Sequence, residues 1–505
     1  MPAYLATDGD AERSDGRSTS PNSYHGSRPR SARGRKEVGM IGQASWISSV
    51  INLVNTIVGA GILAMPLALS RMGILLGTII ILWAGLTAGF GLYLQTKCAR
   101  YLDRGAASFF ALSQITYPNA AVIFDAAIAI KCFGVGVSYL IIIGDLMPGV
   151  VRGFNEDAGG VGFLVDRHFW VTAFMLIVIP LSFLRRLDSL KYTSVVALIS
   201  IGYLVILVVA HFIKGDTKQD RGDIRVVQPP SAVAVFSSFP VIVFAYTCHQ
   251  NMFSILNEIG NNSHFRTTAV VFASIGAAGF LYVLVAITGY LSFGNAVGGN
   301  VVAMYPPSIS STIGKAAIVI LVMFSYPLQV HPCRASVDAV LKWRPRRSAD
   351  SANSSPSRSG LLQPPAKPST KPKGDGMGET RFAAITTAII VLSYIVAMTV
   401  SSLEKVLAYV GSTGSTSISF ILPGLFYYKI SSPESPHHQK LMKEDDDEDD
   451  GSGSEDEGLL GGSMLKGGPW RRKLLRRLSL ALAIYGFIVM ITCLITNTLF
   501  VVAPH

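Results

Sequence analysis

Polar and ionisable residues interrupt the apolar stretches of this chain at a few places, and their chemistry is that of binding, not bond making. Residues Asn55–Pro66 read NTIVGAGILAMP within an apolar stretch from about Trp46 to Leu69. Asn55 and Thr56 bring side-chain oxygens to its middle, and Gly59, Ala60 and Gly61 follow. Glycine lets the backbone leave helical geometry. In hydrocarbon, the amides and carbonyls so freed must find partners, and irregular backbone survives only where it is buried in protein or lines a cavity. The segment reads either as a broken helix at a binding site or as small residues for close helix packing. A second polar cluster, Tyr246, Thr247, His249, Gln250 and Asn251, falls within the stretch Phe239–Ile259. A helix could stop near Cys248, but apolar residues resume at Met252, Phe253, Ile255 and Leu256, which favours continuation. Lys131 stands in the middle of a third stretch. An ionisable residue at that depth is costly and points to function by default. It either replaces a coupling cation or binds a carboxylate side chain; the plainer alternative is a structural pair with a buried acid or with unwound carbonyls. No nucleophile–base constellation and no metal-ligand spacing stands out, so the residues suggest no enzyme, cofactor or metal centre.

The elements that hold these residues are membrane helices. Half of the 505 residues are hydrophobic and only 15% are charged, against about 25% charged in a soluble chain; mean hydropathy is +0.42. The net charge of +11 comes from basic residues flanking apolar segments, which are topology signals and not a nucleic-acid surface. Five cysteines, an odd number, suggest no disulfide framework. Residues 1–40 lack an apolar core, so no cleavable signal peptide is expected. Apolar segments of spanning length lie near 46–69, 74–96, 120–148, 169–184, 192–213, 232–254, 268–291, 313–331, 382–401, 406–428 and 478–502. The expected fold is an all-α membrane protein with eleven transmembrane helices. Residues 41–430 form the core of ten helices, followed by an eleventh within 474–505. Residues 1–40, 343–380 and 431–473 are expected as disordered cytosolic tail and loops, the last carrying the acidic run EDDDEDDGSGSEDE. Clusters such as Arg28–Lys36, Arg185–Lys191 and Arg471–Arg477 then face one side, which the positive-inside rule makes cytosolic. The N-terminus is cytosolic and the C-terminus on the opposite side.

If five spans make one repeat, the sixth matches the first, and both carry a polar interruption. Half-helix N-termini present amides and a positive dipole end to a carboxylate. Unwound carbonyls accept from an ammonium or coordinate a cation. Backbone groups of this kind suit the part common to all amino acids, leaving side chains to select among them.

At these segments the chain resembles the amino acid/auxin permease family. The resemblance rests on NTIVGAGILAMP, DAAIAIKCFGVGVSYLIIIGDLMP (Asp125–Pro148), FAYTCHQNMFSILNE (Phe244–Glu258), FSYPLQVHPCRASV (Phe324–Val337) and KVLAYVGSTGSTSISFILPGLFYYK (Lys405–Lys429). It is similar to the sodium-coupled neutral amino acid branch and, more closely, to fungal vacuolar transporters that export acidic amino acids to the cytosol. The resemblance implies eleven spans, a five-plus-five inverted repeat with broken first and sixth helices, and alternating access in a secondary transporter of the vacuolar membrane. It carries a cation-site role to Asn55 and to Ser325, which keeps the hydroxyl of the more usual Thr. A proton-linked carrier (symport of proton and amino acid) is the leading expectation. An amino acid sensor using the same site, or a carrier of neutral amino acids, is the alternative.

The expected substrate-binding residues are Asn55, Thr56, Gly59, Ala60, Gly61, Lys131, Tyr246 and Thr247, and the expected ion-coupling residues are Asn55, Ser325 and His249. His249 and His331 titrate between a vacuolar and a cytosolic pH, and His249 sits beside the break. Asp125 lies six residues before Lys131, offset by about 120° on an ideal helix, so the two do not face each other. Glu258 and Glu404, near span ends, read as solvated or paired. Gly411–Thr416 (GSTGST) reads mainly as a packing surface, and also as a place where a helix could slide. Glu455–Leu460 (EDEGLL) resembles an acidic dileucine signal for a sorting adaptor, or is chance in an acidic, Leu-containing linker. The expected partners are an amino acid substrate, a proton or other coupling cation, and membrane lipid.

Overall fold

The computed structural model describes residues 44–103, 105–154, 157, 160–184, 193–260, 263–342, 377–439 and 469–501. The tail 1–40, most of the loops 343–380 and 431–473, and the Glu455–Leu460 signal lie outside the described residues. Regular structure among the described residues is helical, apart from one isolated backbone bridge between Ala44 and Ile259.

The first span is two helices. Ser45 caps α1 (Trp46–Ile57) by accepting from the Ser48 amide at 3.1 Å, which satisfies one of the donors a helix start leaves open. At Val58 the backbone leaves helical dihedrals (φ −80°, ψ 88°). Helix α2 (Gly61–Ser70) then resumes, bent 57° from α1. Gly73, at φ +82°, makes the tight turn into α3 (Ile74–Ala99), a left-handed conformation that a side chain would resist. Next come the short α4 (Phe109–Thr116), the long α5 (Ala121–Phe154), α6 (Arg167–Ser182) and α7 (Thr193–Lys214).

The span expected to mirror the first is also interrupted. Ser231 caps α8 (Ala232–Ala245) by accepting from the Ala234 amide. The helix stops at Tyr246, and α9 (His249–Glu258) continues beyond. Continuation, and not an early stop at Cys248, is therefore what the chain does. Then follow α10 (His264–Phe293), the one-turn α11 (Val301–Met304), α12 (Ile309–Lys342), α13 (Glu379–Thr399) and α14 (Leu403–Val410). From α14 the chain passes through π-type turns at Gly411–Ser415 and Ser417–Ile421 into α15 (Leu422–Ile430). Helix α16 (Pro469–Thr496) comes last.

Among the described residues, eight helices are long and apolar enough to cross a bilayer, and the bent pair α1–α2 makes a ninth if taken as one span. Helix α6 is shorter, at 16 residues. Helices α5 and α12 make the most extensive helix–helix contact, and α10 packs along α1, α2 and α3. All five cysteines are free and buried.

The two broken helices are tied together at two levels. The Ala44 amide donates to the Glu258 carbonyl at 2.9 Å and the Gly260 amide to the Ala44 carbonyl at 3.0 Å, joining the start of α1 to the end of α9. At the breaks themselves, a Cβ on Gly61 would stand 2.5 Å from the Ala245 Cβ. Only a glycine fits. We expect Gly61→Val to wedge the breaks apart and cost about 1–3 kcal/mol, the usual range for overpacking. Its thermal unfolding in nanodiscs should fall below wild type; an unchanged midpoint would show that the breaks tolerate separation.

Candidate binding cavity

The breaks open onto a cavity of about 330 Å³, walled by α1, α2, α5, α7, α8, α9 and α12. Asn55, Thr56, Gly59, Ala60 and Gly61 line it from the first break, Thr247 from the second, Lys131 from α5 and Ser325 from α12. Eight of the ten residues singled out from sequence thus share one space.

The polar residues lining it are unevenly satisfied. Thr56 donates its hydroxyl to the Asn52 carbonyl at 2.9 Å and receives the Asn251 amide at 3.5 Å. Ser325 donates to the Leu321 carbonyl at 2.8 Å. The side-chain oxygens of Asn55 and Gln250, by contrast, are buried with no partner. Buried polar atoms left unpaired are rare and costly. Lys131 is 4% exposed, and no carboxylate pairs with it among the described residues. Of the two acids in its helix, Asp145 faces Arg167 instead, at 3.5 Å. The cavity therefore gathers Lys131, Asn55 and Gln250 around one space, a residue set able to serve a ligand carrying both a carboxylate and an ammonium.

What holds the breaks in place is a tyrosine from α10. The Tyr282 hydroxyl lies 2.7 Å from the Ile57 carbonyl and 2.8 Å from the Ala245 carbonyl. Each is the last residue of its half-helix. The residue four further on, Gly61 or His249, opens a new helix, so neither carbonyl has its ordinary i+4 donor. One buried O–H group serves both.

Tyr246 and His249 sit outside the cavity. Tyr246 turns behind the break, edge-on to the Tyr282 ring at 5.0 Å between centroids. It fills the room left by Gly85 and Gly279, where a Cβ would come within 3.0 and 3.1 Å of it. Its hydroxyl has no partner. His249 points at α3. Its Nε2–H donates to the Ala88 carbonyl at 3.1 Å, since a carbonyl can only accept, and its Nδ1 is left without a partner. Gln95 donates to the His249 carbonyl at 3.3 Å. His331 lies exposed on α12. The cavity also gathers Asn52, Tyr139 and Gln329, which sequence reasoning did not single out. Tyr139 and Gln329 reach it from α5 and α12, a convergence that no sequence spacing announces.

Glu404 is paired: Arg71, at the end of α2, donates to it at 2.8 Å. In the segment Gly411–Thr416, a Cβ on Gly411 would collide with the Pro240 carbonyl, and one on Gly414 would come within 2.9 Å of the Lys131 backbone. This segment is a close-packing surface against α5 and α8.

The family model described as "Transmembrane amino acid transporter protein" matches residues 42–445. The chain belongs to that transporter family. All of the cavity lies inside the matched region, whereas α16 lies beyond it. Among curated family members, the chain is 43% identical to "Vacuolar amino acid transporter 5" of Schizosaccharomyces pombe, over 90% of this chain and 95% of that one. It is 39% identical to "Vacuolar amino acid transporter 6" of Saccharomyces cerevisiae, over 89% and 98%. Among solved structures it superposes on MhsT in complex with L-phenylalanine with a TM-score of 0.55, covering 91% of this chain and all of that chain at 11% identity. At that identity the likeness is one of fold.

For this family member we expect Tyr282→Phe to strand two buried carbonyls and lower stability by about 1–3 kcal/mol. A thermal unfolding midpoint equal to wild type would mean that the hydroxyl does not hold the breaks.

Proposed function

We propose that this protein is a secondary active amino acid transporter of the vacuolar membrane, carrying acidic amino acids (Glu, Asp) from vacuole to cytosol by alternating access, with protons as the linked ion. The observation that carries this reading is the cavity at the two breaks, which is lined by Lys131 together with Asn55 and Gln250, whose side-chain oxygens have no protein partner. The unpaired oxygens suit the substrate ammonium, and Lys131 suits its side-chain carboxylate. The names of the two yeast relatives support the compartment.

The reading takes the core as a five-plus-five inverted repeat. The nine spans, α6 and the continuous stretch Leu403–Ile430 together support eleven crossings. With the N-terminus in the cytosol, Asn52, Ala197 and Pro332 belong to the cytosolic halves of their helices, so the cavity opens that way. The ion pair Arg71–Glu404 then lies on the lumenal side and closes it. A proton site is supported at the bare Nδ1 of His249, one wall away from the substrate. Asn55 and Ser325, both in the cavity, are the alternative place for a coupling cation. Sorting to the vacuole through an adaptor at Glu455–Leu460 belongs to the same proposal.

Vacuolar vesicles bearing the protein and loaded with radiolabelled glutamate test the reading. We expect efflux that rises when ATP energises the proton pump and that aspartate competes for. Lys131→Met should weaken glutamate transport by about tenfold or more, since hydrogen bonds to charged groups contribute about 1.5–3 kcal/mol, and should affect neutral amino acids less. Equal loss for both classes would make Lys131 structural. Absence of flux for glutamate and for a mixed amino acid pool, from protein shown to be in the membrane, would favour a sensor.

A further inference from the structure

A second cavity lies further along the same helices. The first takes Gly61 from α2 and Lys131, Val135 and Tyr139 from α5. The second, of about 340 Å³, takes Leu67 and Arg71 from α2 and Asp145 from α5. At 1.5 Å per residue, Arg71 is about 15 Å beyond Gly61, and Asp145 about 9 Å beyond Tyr139. A small pocket of about 20 Å³ lies beside α2 and shares Leu67, Arg71 and Glu404 with the second cavity. The two cavities thus lie at successive levels along α2 and α5.

The second cavity is polar in a particular way. Asn300 lines it at 6% exposure, and neither the nitrogen nor the oxygen of its amide has a partner. Buried amides that are wholly unpaired are uncommon unless a ligand or water meets them. Beside it stands the Arg71–Glu404 ion pair, with the two side chains 32% and 23% exposed. Gly299 packs on Glu404, with the Glu404 backbone nitrogen and Cβ each 3.7 Å from where a glycine Cβ would be.

We propose that this cavity is an additional binding site for an α-amino acid, filled before the ion pair opens. The proposal rests on the transporter reading above. The arriving amino acid exchanges its charges with the pair: its carboxylate goes to Arg71, its ammonium to Glu404, and the Asn300 amide serves whichever end lies nearest. The exchange leaves every charge partnered, so the pair can part without leaving a bare ion in a low-dielectric site. A ligand with only one charged end would leave one of the two residues unpaired.

Full-length protein in nanodiscs, and proteoliposomes from the same preparation, separate the proposal from the reading beneath it. Flux is measured first for each of the twenty amino acids. The radiolabelled amino acid with the largest flux is then used in equilibrium dialysis through the millimolar range. We expect two bound per wild-type chain, falling to one in Asn300→Leu and in Glu404→Gln. One per chain throughout, or two in wild type and in both variants, overturns the second site while the transporter reading stands. Wild-type protein without flux for any amino acid overturns the reading itself, and the second site with it.

Discussion

In hydrocarbon a broken helix can exist only if something else bonds to the groups the break releases. Here one tyrosine meets part of that requirement at both breaks. Tyr282 reaches the carbonyls of Ile57 and Ala245 together, so the two interruptions must lie within a hydroxyl's reach of each other. Much of the architecture follows from that proximity. Gly61 and Ala245 touch, Tyr246 is driven behind the break against the Tyr282 ring, and Thr247, the next residue, is left facing the cavity. A single proton shared between two acceptors bonds each less strongly than it would bond one. The half-helices are thus held without being locked.

The electrostatics of the cavity follow from the same scaffold. Helices α5 and α12 pack more extensively than any other pair, and they carry Lys131 and Ser325 as fixed walls opposite the breaks. The acid that could neutralise Lys131 within its own helix, Asp145, is engaged with Arg167. The neighbouring Asp125 is turned away by helical spacing. A lysine kept free of protein carboxylates and lining a polar cavity is costly in the empty protein.

Much of this was legible in the sequence, for local reasons. Asn55–Gly61 announces its break through small and polar residues in an apolar run, and Lys131 stands out because charge at that depth is rare. The resumption of apolar residues after Cys248 marks α9 as the continuation of its span. The orientations of Tyr246 and His249 were not legible. Helical periodicity relates side-chain directions only within one helix, and both residues flank an interruption that resets the direction. Tyr282 reads from sequence as one more aromatic in an apolar helix. The ion pair Arg71–Glu404 joins residues 333 apart in the chain, a distance over which spacing carries no information.

The π-type turns at Gly411–Ser415 and Ser417–Ile421 have a consequence for how this helix tolerates change. Each such turn accommodates an extra residue, and one residue rotates everything after it by about 100°. The contact of Ser419 with Thr247 at 3.1 Å, and of Phe420 with Tyr485, depend on that rotation. Deleting any single residue between Gly411 and Ile421 would leave the hydropathy of the span almost unchanged while swinging both contacts onto a different face. Length here is under tighter constraint than composition, so this stretch should accept substitutions far more readily than insertions or deletions.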